Sequence, residues 1–294
     1  MSGIRTFAAG AAPGRSRARR SVSVCIPCRD EAATIGEIVS AVRTELMGSR
    51  AADDGLVAEL IVLDDRSTDA TARVAADAGA RVVPIEEVHS VHGVGRGKGN
   101  ALWATLVASV GDVVVWCDGD LTGFQASWVV DLATPLLEHD DVALVKAMYR
   151  RPADEGGGGR TTELVARPLL SRFFPELAAV AQPLAGEYAV RRDVVERLEL
   201  EQGWGVEIAL LIDIARERGV GAIGQIDLGV RHHRHRDLRT LSVQAAEVAA
   251  AVLERAGVAG GGAGDGALLR ADGSRVPLNR ATRPPIAARG RVAS

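Results

Sequence analysis

Two carboxylates separated by one glycine, Asp118-Gly119-Asp120, close a continuous apolar run, Val113-Val114-Val115-Trp116-Cys117. With Gly111-Asp112 before it, the run reads as a buried parallel strand that delivers Asp118 and Asp120 to its carboxyl end. Open α/β sheets bind their ligands at that end. Paired hard oxygens, with a glycine that lets backbone or substrate approach closely, suit a divalent cation that also grips a diphosphate. A strand followed by an acidic Asp-Gly turn is the other reading of this octapeptide taken alone.

The elements needed to position these carboxylates can be read on both sides of the run. Val22 to Pro27 is a short β-rich stretch followed by Cys28-Arg29-Asp30-Glu31 and a helix whose stripe is Ile35, Ile38, Val39, Val42 and Leu46. Glu59 to Leu63 is a second buried strand, ending in Asp64-Asp65-Arg66-Ser67-Thr68-Asp69, and the helix after it stops at Gly79. Arg81 to Ile85 is a third strand. Strands and helices in alternation predict right-handed crossovers and a parallel sheet. Asp30 and Glu31, Asp64 and Asp65, and Asp118 and Asp120 then share one sheet edge, and three strands aiming acids at one edge make a site.

Basic loops supply the opposite charge. Gly95-Arg96-Gly97-Lys98-Gly99 opens a helix and has the glycines, cation and helix N-terminus to cradle phosphates, although it is not a Walker A sequence and also reads as a plain loop. Gly156 to Gly159 with Arg160-Thr161-Thr162 suits an anionic group, or is a linker. In Arg231-His232-His233-Arg234-His235-Arg236 an extended backbone puts Arg231, His233 and His235 on one face, which could close a metal and phosphate site. Zinc is disfavoured there, with no cysteine nearby and hard oxygens as partners. Glu207 heads a strong amphipathic helix, Gly205 to Arg218, either as a buried acid acting on substrate or as a favourable helix N-terminal charge.

In the second half Val142 to Ala147 and Gly186 to Val190 read as strands, Thr161 to Phe174 as a helix broken near Pro168, Ile223 to Arg236 as a hairpin or irregular strand pair, and Asp237 to Ala256 as a final helix. The domain plan is a disordered basic tail (1–20), a nucleotide-sugar half (21–150), an acceptor half with the last helix (151–256) and a flexible tail (257–294). The fold class is α/β, a mixed, mostly parallel sheet flanked by helices with disordered termini. A chain of 294 residues, 47% apolar and with net charge −3 can bury a large core and gives no reason to expect nucleic acid. Cys25, Cys28 and Cys117 read as reduced core thiols of a cytosolic protein, against the alternative of a Cys25-x-x-Cys28 redox pair. No segment approaches the ~18 apolar residues that span a bilayer, and no export signal is present, so a cytoplasmic protein is expected without a membrane partner.

Together these residues form a toolkit for a sugar nucleotide and a divalent metal. Pro27 to Glu31, Leu63 to Asp69 and Asp118-Gly119-Asp120 resemble the nucleotide-binding half of GT-A (Rossmann-like) glycosyltransferases. Gly97 to Trp103, Tyr149 to Pro152, Gly158 to Leu170, Gln182 to Tyr188 and Gly205 to Ile208 resemble the glucosyl-3-phosphoglycerate synthases of actinobacteria, over roughly residues 21 to 255. The resemblance implies retaining transfer of glucose from UDP-glucose to the 2-hydroxyl of 3-phosphoglycerate. It implies Asp120 and His233 as ligands of Mg²⁺ or Mn²⁺, with Asp118 holding the ribose or sugar side. Pro27, Glu31, Asp65 and Lys98 would bind the uridine diphosphate, with Leu184 and Glu207 beside the sugar, and Asp118, Asp120 and Glu207 form the catalytic set. Gly159, Arg160 and Thr162, with Arg231 and His235 near them, would take the acceptor, and a homodimer is implied. The family usually has Asp-Ser-Asp at 118–120, Ser-Gly in place of Asp65-Arg66, and asparagine in place of His235. The rivals are a mannosyl-3-phosphoglycerate synthase using GDP-mannose, a nucleotidyltransferase and a silent binding module.

Overall fold

The computed structural model describes residues 3–11, 20–48, 55–150, 159–231, 237–258 and 266–288. In chain order the first half contains β1 (Arg5–Phe7), β2 (Val22–Cys28), α1 (Ile35–Leu46), β3 (Val57–Asp64), α2 (Thr71–Ala78), β4 (Arg81–Pro84), α3 (Ile85–His92), α4 (Lys98–Ala108), β5 (Val113–Trp116) and α5 (Ser127–Glu138). The second half contains β6 (Leu144–Arg150), a π-helical turn at Thr162–Ala166, α6 (Arg167–Phe173), β7 (Tyr188–Arg191), α7 (Arg192–Val195), β8 (Leu200–Glu201), α8 (Val206–Arg218), β9 (Ile223–Val230), α9 (Leu238–Arg255), β10 (Ala267–Leu269), β11 (Arg275–Pro277) and β12 (Thr282–Arg283).

Eight strands form one sheet in the order β1-β9-β6-β7-β5-β2-β3-β4. The β2–β3, β2–β5, β3–β4, β6–β9 and β1–β9 pairs are parallel, and only β7 runs against its neighbours β5 and β6. Chain order reverses at β2, between β5 and β3, the crevice at which doubly wound sheets bind ligands. Every residue of β5 is buried, as its unbroken apolar run requires. Alternate residues serve the two faces: Cys25, Ile61, Val114 and Trp116 belong to the layer with α4 and α8, whereas Val24, Ile26, Val62 and Val115 belong to the layer with α1 and α5.

Four expectations change. Residues 1–20 are not all tail: Arg5–Phe7 add a parallel strand to β9, with Arg5 opposite Gly224. Nor is all of 257–294: β10 and β11 form a hairpin, and β12 pairs antiparallel with β8. The third strand ends at Pro84, whose extended backbone caps a helix that the sequence reading lacks. Ile223 to Val230 is one continuous strand, parallel to β6, and residues 232–236 of the expected strand pair lie outside the described residues. The cysteines are free and buried, and burial pushes the Cys25 thiol up to about 12 and Cys28 well above the usual range, so neither is a nucleophile.

Candidate active site

The carboxyl ends of β2 and β3 are zipped into one scaffold before any ligand arrives. Asp65 N–H donates to Cys28 O at 2.8 Å, Glu31 N–H to Thr71 Oγ1 at 2.8 Å, and Ala32 N–H to Asp69 Oδ2 at 3.1 Å. Asp30 and Arg66 hold left-handed backbones, φ 57° and 61°, unusual for residues with a Cβ. Asp30 is held there because its carboxylate accepts Thr68 N–H at 2.7 Å, which also lowers its pKa. The Arg66 side chain turns back to donate Nε and Nη2 to the same oxygen, Asp65 Oδ1, at 2.9 and 2.6 Å.

Beyond β5 the chain turns through Gly119, whose carbonyl accepts the Thr34 hydroxyl at 2.6 Å from the start of α1. A Cβ at Gly119 would lie 2.6 Å from Cys28 Sγ, so glycine here and cysteine there are matched in size. A Cβ at Gly186 would overlap the Asp118 carboxylate. These contacts hold Asp118 and Asp120 at the cleft floor.

The cleft, of about 490 Å³, is lined by Pro27, Glu31, Asp65, Lys98, Asp118, Asp120, Gly159, Arg160, Thr162, Leu184, Glu207 and Arg231, so the structure brings together every described site residue expected from the sequence. His233 and His235 lie outside the described residues. At the centre is a charge network. Lys98 Nζ, on the first residue of α4, is 2.9 Å from Asp118 Oδ1 and 2.8 Å from Glu207 Oε1. Burial alone would lower its pKa, but the two carboxylates outweigh that and hold it well above the usual lysine range. Arg231 Nη2 is 2.8 Å from Glu187 Oε1, 3.2 Å from Asp118 Oδ2 and 4.0 Å from Asp120 Oδ1, and its Nη1 donates to Tyr149 OH at 3.2 Å.

Two participants have no role in the sequence reading. Glu187, 1% exposed, pairs with Arg231, and burial raises its pKa in spite of that arginine. Lys146, also 1% exposed, donates Nζ to Ala185 O at 2.8 Å and lies 4.3 Å from the centre of the Tyr188 ring. The available signal was a lone charge inside an apolar segment, as in Leu144-Val145-Lys146-Ala147-Met148. Trp204, Leu241, Gln244 and Val248 also line the cleft, the last three from α9.

One wall of the cleft is the π-helical turn that begins at Thr162, with Pro168 accommodated in the first turn of α6 rather than breaking a helix. A guanidinium and two hydroxyls, those of Arg160, Thr161 and Thr162, thus line the same cleft as Asp118 and Asp120. For a divalent cation the donor set is chemically suitable: Asp118 and Asp120 are hard oxygens, each side chain 23% exposed. Among the described residues no group of three or more His, Cys, Asp or Glu could hold a metal. Two carboxylates still fit Mg²⁺ or Mn²⁺, because such ions draw their other ligands from substrate phosphates and water.

Comparison with known proteins agrees with this geometry. Residues 23–199 match the model of glycosyl transferase family 2. The glucosyl-3-phosphoglycerate synthase of Mycolicibacterium paratuberculosis is 43% identical over 93% of this chain and 86% of its own length. That of Petrotoga mobilis is 41% identical over 80% and 73%. The crystal structure of the Mycobacterium tuberculosis glucosyl-3-phosphoglycerate synthase with Mn²⁺, UDP-glucose and phosphoglyceric acid superposes with a TM-score of 0.85 at 40% identity, covering 97% of this chain and 98% of that one.

Proposed function

The chain belongs to glycosyl transferase family 2, among the glucosyl-3-phosphoglycerate synthases, and from that premise we propose that it transfers glucose from UDP-glucose to the 2-hydroxyl of 3-phosphoglycerate, with retention, yielding glucosyl-3-phosphoglycerate and UDP. The observation that carries this reading is one cleft lined by two sets of residues, Lys98 paired with Asp118 and Glu207 beside Asp120, and the guanidinium and hydroxyl of Arg160 and Thr162. A donor and a doubly anionic acceptor need two such sets.

At the donor end, Pro27, Glu31 and Asp65 receive the uridine. Because Arg66 ties up Asp65 Oδ1, Oδ2 is the oxygen left to accept one N–H. A uracil edge offers one imide N–H, whereas a guanine edge offers two adjacent donors that a carboxylate would accept with both oxygens. This favours UDP over GDP, and so the glucosyl over the mannosyl reaction. Lys98 keeps its proton at neutral pH and lies between Asp118 and Glu207, where it holds the sugar diphosphate while Leu184 and Glu207 border the glucose. Asp120 and His233 would hold Mn²⁺ or Mg²⁺, which when bound supplies the charge that stabilises the departing diphosphate, with Asp118 on the ribose or sugar side. Gly159, Arg160 and Thr162 orient the acceptor through its phosphate and carboxylate, and the resemblance adds Arg231 and His235 to that role. The resemblance also favours a homodimer working in the cytoplasm; no helix among the described residues is long and apolar enough to cross a membrane.

The test is turnover by purified protein with Mn²⁺ and 3-phosphoglycerate, offering UDP-glucose and GDP-mannose in parallel. UDP should be released only when the acceptor is present. Release of GDP instead would transfer the protein to the mannosyl reaction, and silence with both donors would sink the reading. Asp120→Ala should lose turnover by about 10²-fold or more together with its metal-dependent UDP binding.

A further inference from the structure

Far along the chain, residues 279–284 return to the donor side of the cleft. Arg283, 6% exposed, donates Nε to Asn100 Oδ1 at 2.8 Å, Nη1 to His92 O at 3.1 Å and Nη2 to Gly93 O at 2.8 Å, with its guanidinium 4.8 Å from the Trp103 ring centre. These partners flank the loop 93–97, which leads directly into Lys98. Asn279 Nδ2 donates to Arg96 O at 2.6 Å in the same loop. Gly97, at φ 94°, has no room for a Cβ against Gln202 O and Asn279 Nδ2. The same segment grips the residues that lead into α8 and Glu207: Gln202 N–H donates to Ala281 O at 2.8 Å, and Gln202 Nε2 to Thr282 O at 3.2 Å. Glu247 on α9 completes the tie, accepting Asn279 N–H at 2.8 Å and Trp204 N–H at 2.7 Å.

We propose that residues 279–284 are a positioning strap, anchored by Arg283, which fixes the loops carrying Lys98 and Glu207 relative to one another and so sets the affinity for the nucleotide-sugar donor. Arg283 touches no substrate; it acts through the loop 93–97. A guanidinium is required because three acceptors lie around it in different directions, one on a side chain and two on backbone, and a lysine could not satisfy all of them with one ammonium on a flexible stem. The donor assignment rests on the reaction proposed above; the strap itself does not.

The experiment compares wild type with Arg283→Met, Arg283→Lys and the milder Asn279→Ala. Two quantities are measured: steady-state KM for donor and acceptor, and the Kd for UDP with Mn²⁺ by calorimetry. Arg283→Met should raise donor KM and UDP Kd by about tenfold while acceptor KM stays within about twofold. Arg283→Lys should recover part of that loss, and Asn279→Ala should show a smaller loss of the same kind. Unchanged donor KM and UDP Kd in Arg283→Met would overturn the proposal. So would a fall in kcat alone that tracks a smaller folded fraction, and if Arg283→Met does not fold, wild-type donor affinity in Asn279→Ala would do the same. A wild type that binds UDP but does not turn over removes the proposed reaction and leaves the Kd comparison to judge the strap; a wild type that does not bind UDP removes both.

Discussion

Lys146 shows what an individual buried charge does in this protein. Burial pushes its pKa down to about 7 against the attraction of Glu207, and Lys98 adds to the fall, with Glu187 and Asp118 opposing it. In the unfolded chain the same amine titrates near its ordinary value of ~10.4. Between those two values the unfolded state holds the extra proton, so this residue makes stability rise with pH; below about pH 7 both states carry the proton and the full penalty remains. Urea unfolding of wild type and Lys146→Met at pH 7 and pH 9.5 should therefore show a smaller gain with pH in the variant, and equal gains would refute the argument. Asp118 and Asp120 are legible from sequence because two further apolar runs, ending at Asp30-Glu31 and Asp64-Asp65, aim acids at the same sheet edge, which an isolated acidic turn does not explain. Lys146 and Glu187 are not, because which way a single charge in an apolar strand faces depends on neighbours far along the chain, Ala185 for one and Arg231 for the other.

Among the elements, α4 is closely fitted to the residues that lead into α8. Asn100 N–H donates to Gln202 O at 3.0 Å, and a Cβ at Gly99 would overlap Glu201 O and lie 2.9 Å from Val206 Cβ. The obstacle is backbone, which cannot rotate aside. Gly99→Ala should cost about 1–3 kcal/mol in urea unfolding and should raise donor KM as well, since Lys98 is the adjacent residue; a variant as stable as wild type would mean that α4 does not pack on β8 in this way. The parallel strands and most of the helices are legible because their apolar patterns are local. Asp237 is a further case: the sequence places the start of the last helix there, and its carboxylate accepts Thr240 N–H at 2.9 Å as an N-cap. β1 and β12 are not legible, being three- and two-residue strands defined wholly by partners elsewhere in the chain.

At the scale of the whole molecule, the mixed sheet places the acidic ends of β2, β3 and β5 along one edge, and residues of the second half line the same cleft. Sedimentation equilibrium should return twice the 30.8 kDa chain mass at micromolar concentration, in keeping with the proposed homodimer, and a monomer across that range would remove it. The fold also has a temporal consequence. Arg5 pairs with Gly224, and Arg283 with Leu200, so β1 must wait for a partner made much later and β12 closes on a partner made much earlier. A ribosome adding ~5–20 residues per second finishes β5 on the order of ten seconds or more before it delivers Arg283. A nascent chain halted in that interval would already contain Asp118 and Asp120 but would lack the segment that braces Lys98 against Glu207. Competence to bind the donor is then acquired only after Arg283 has been made, well after the acidic residues of the cleft.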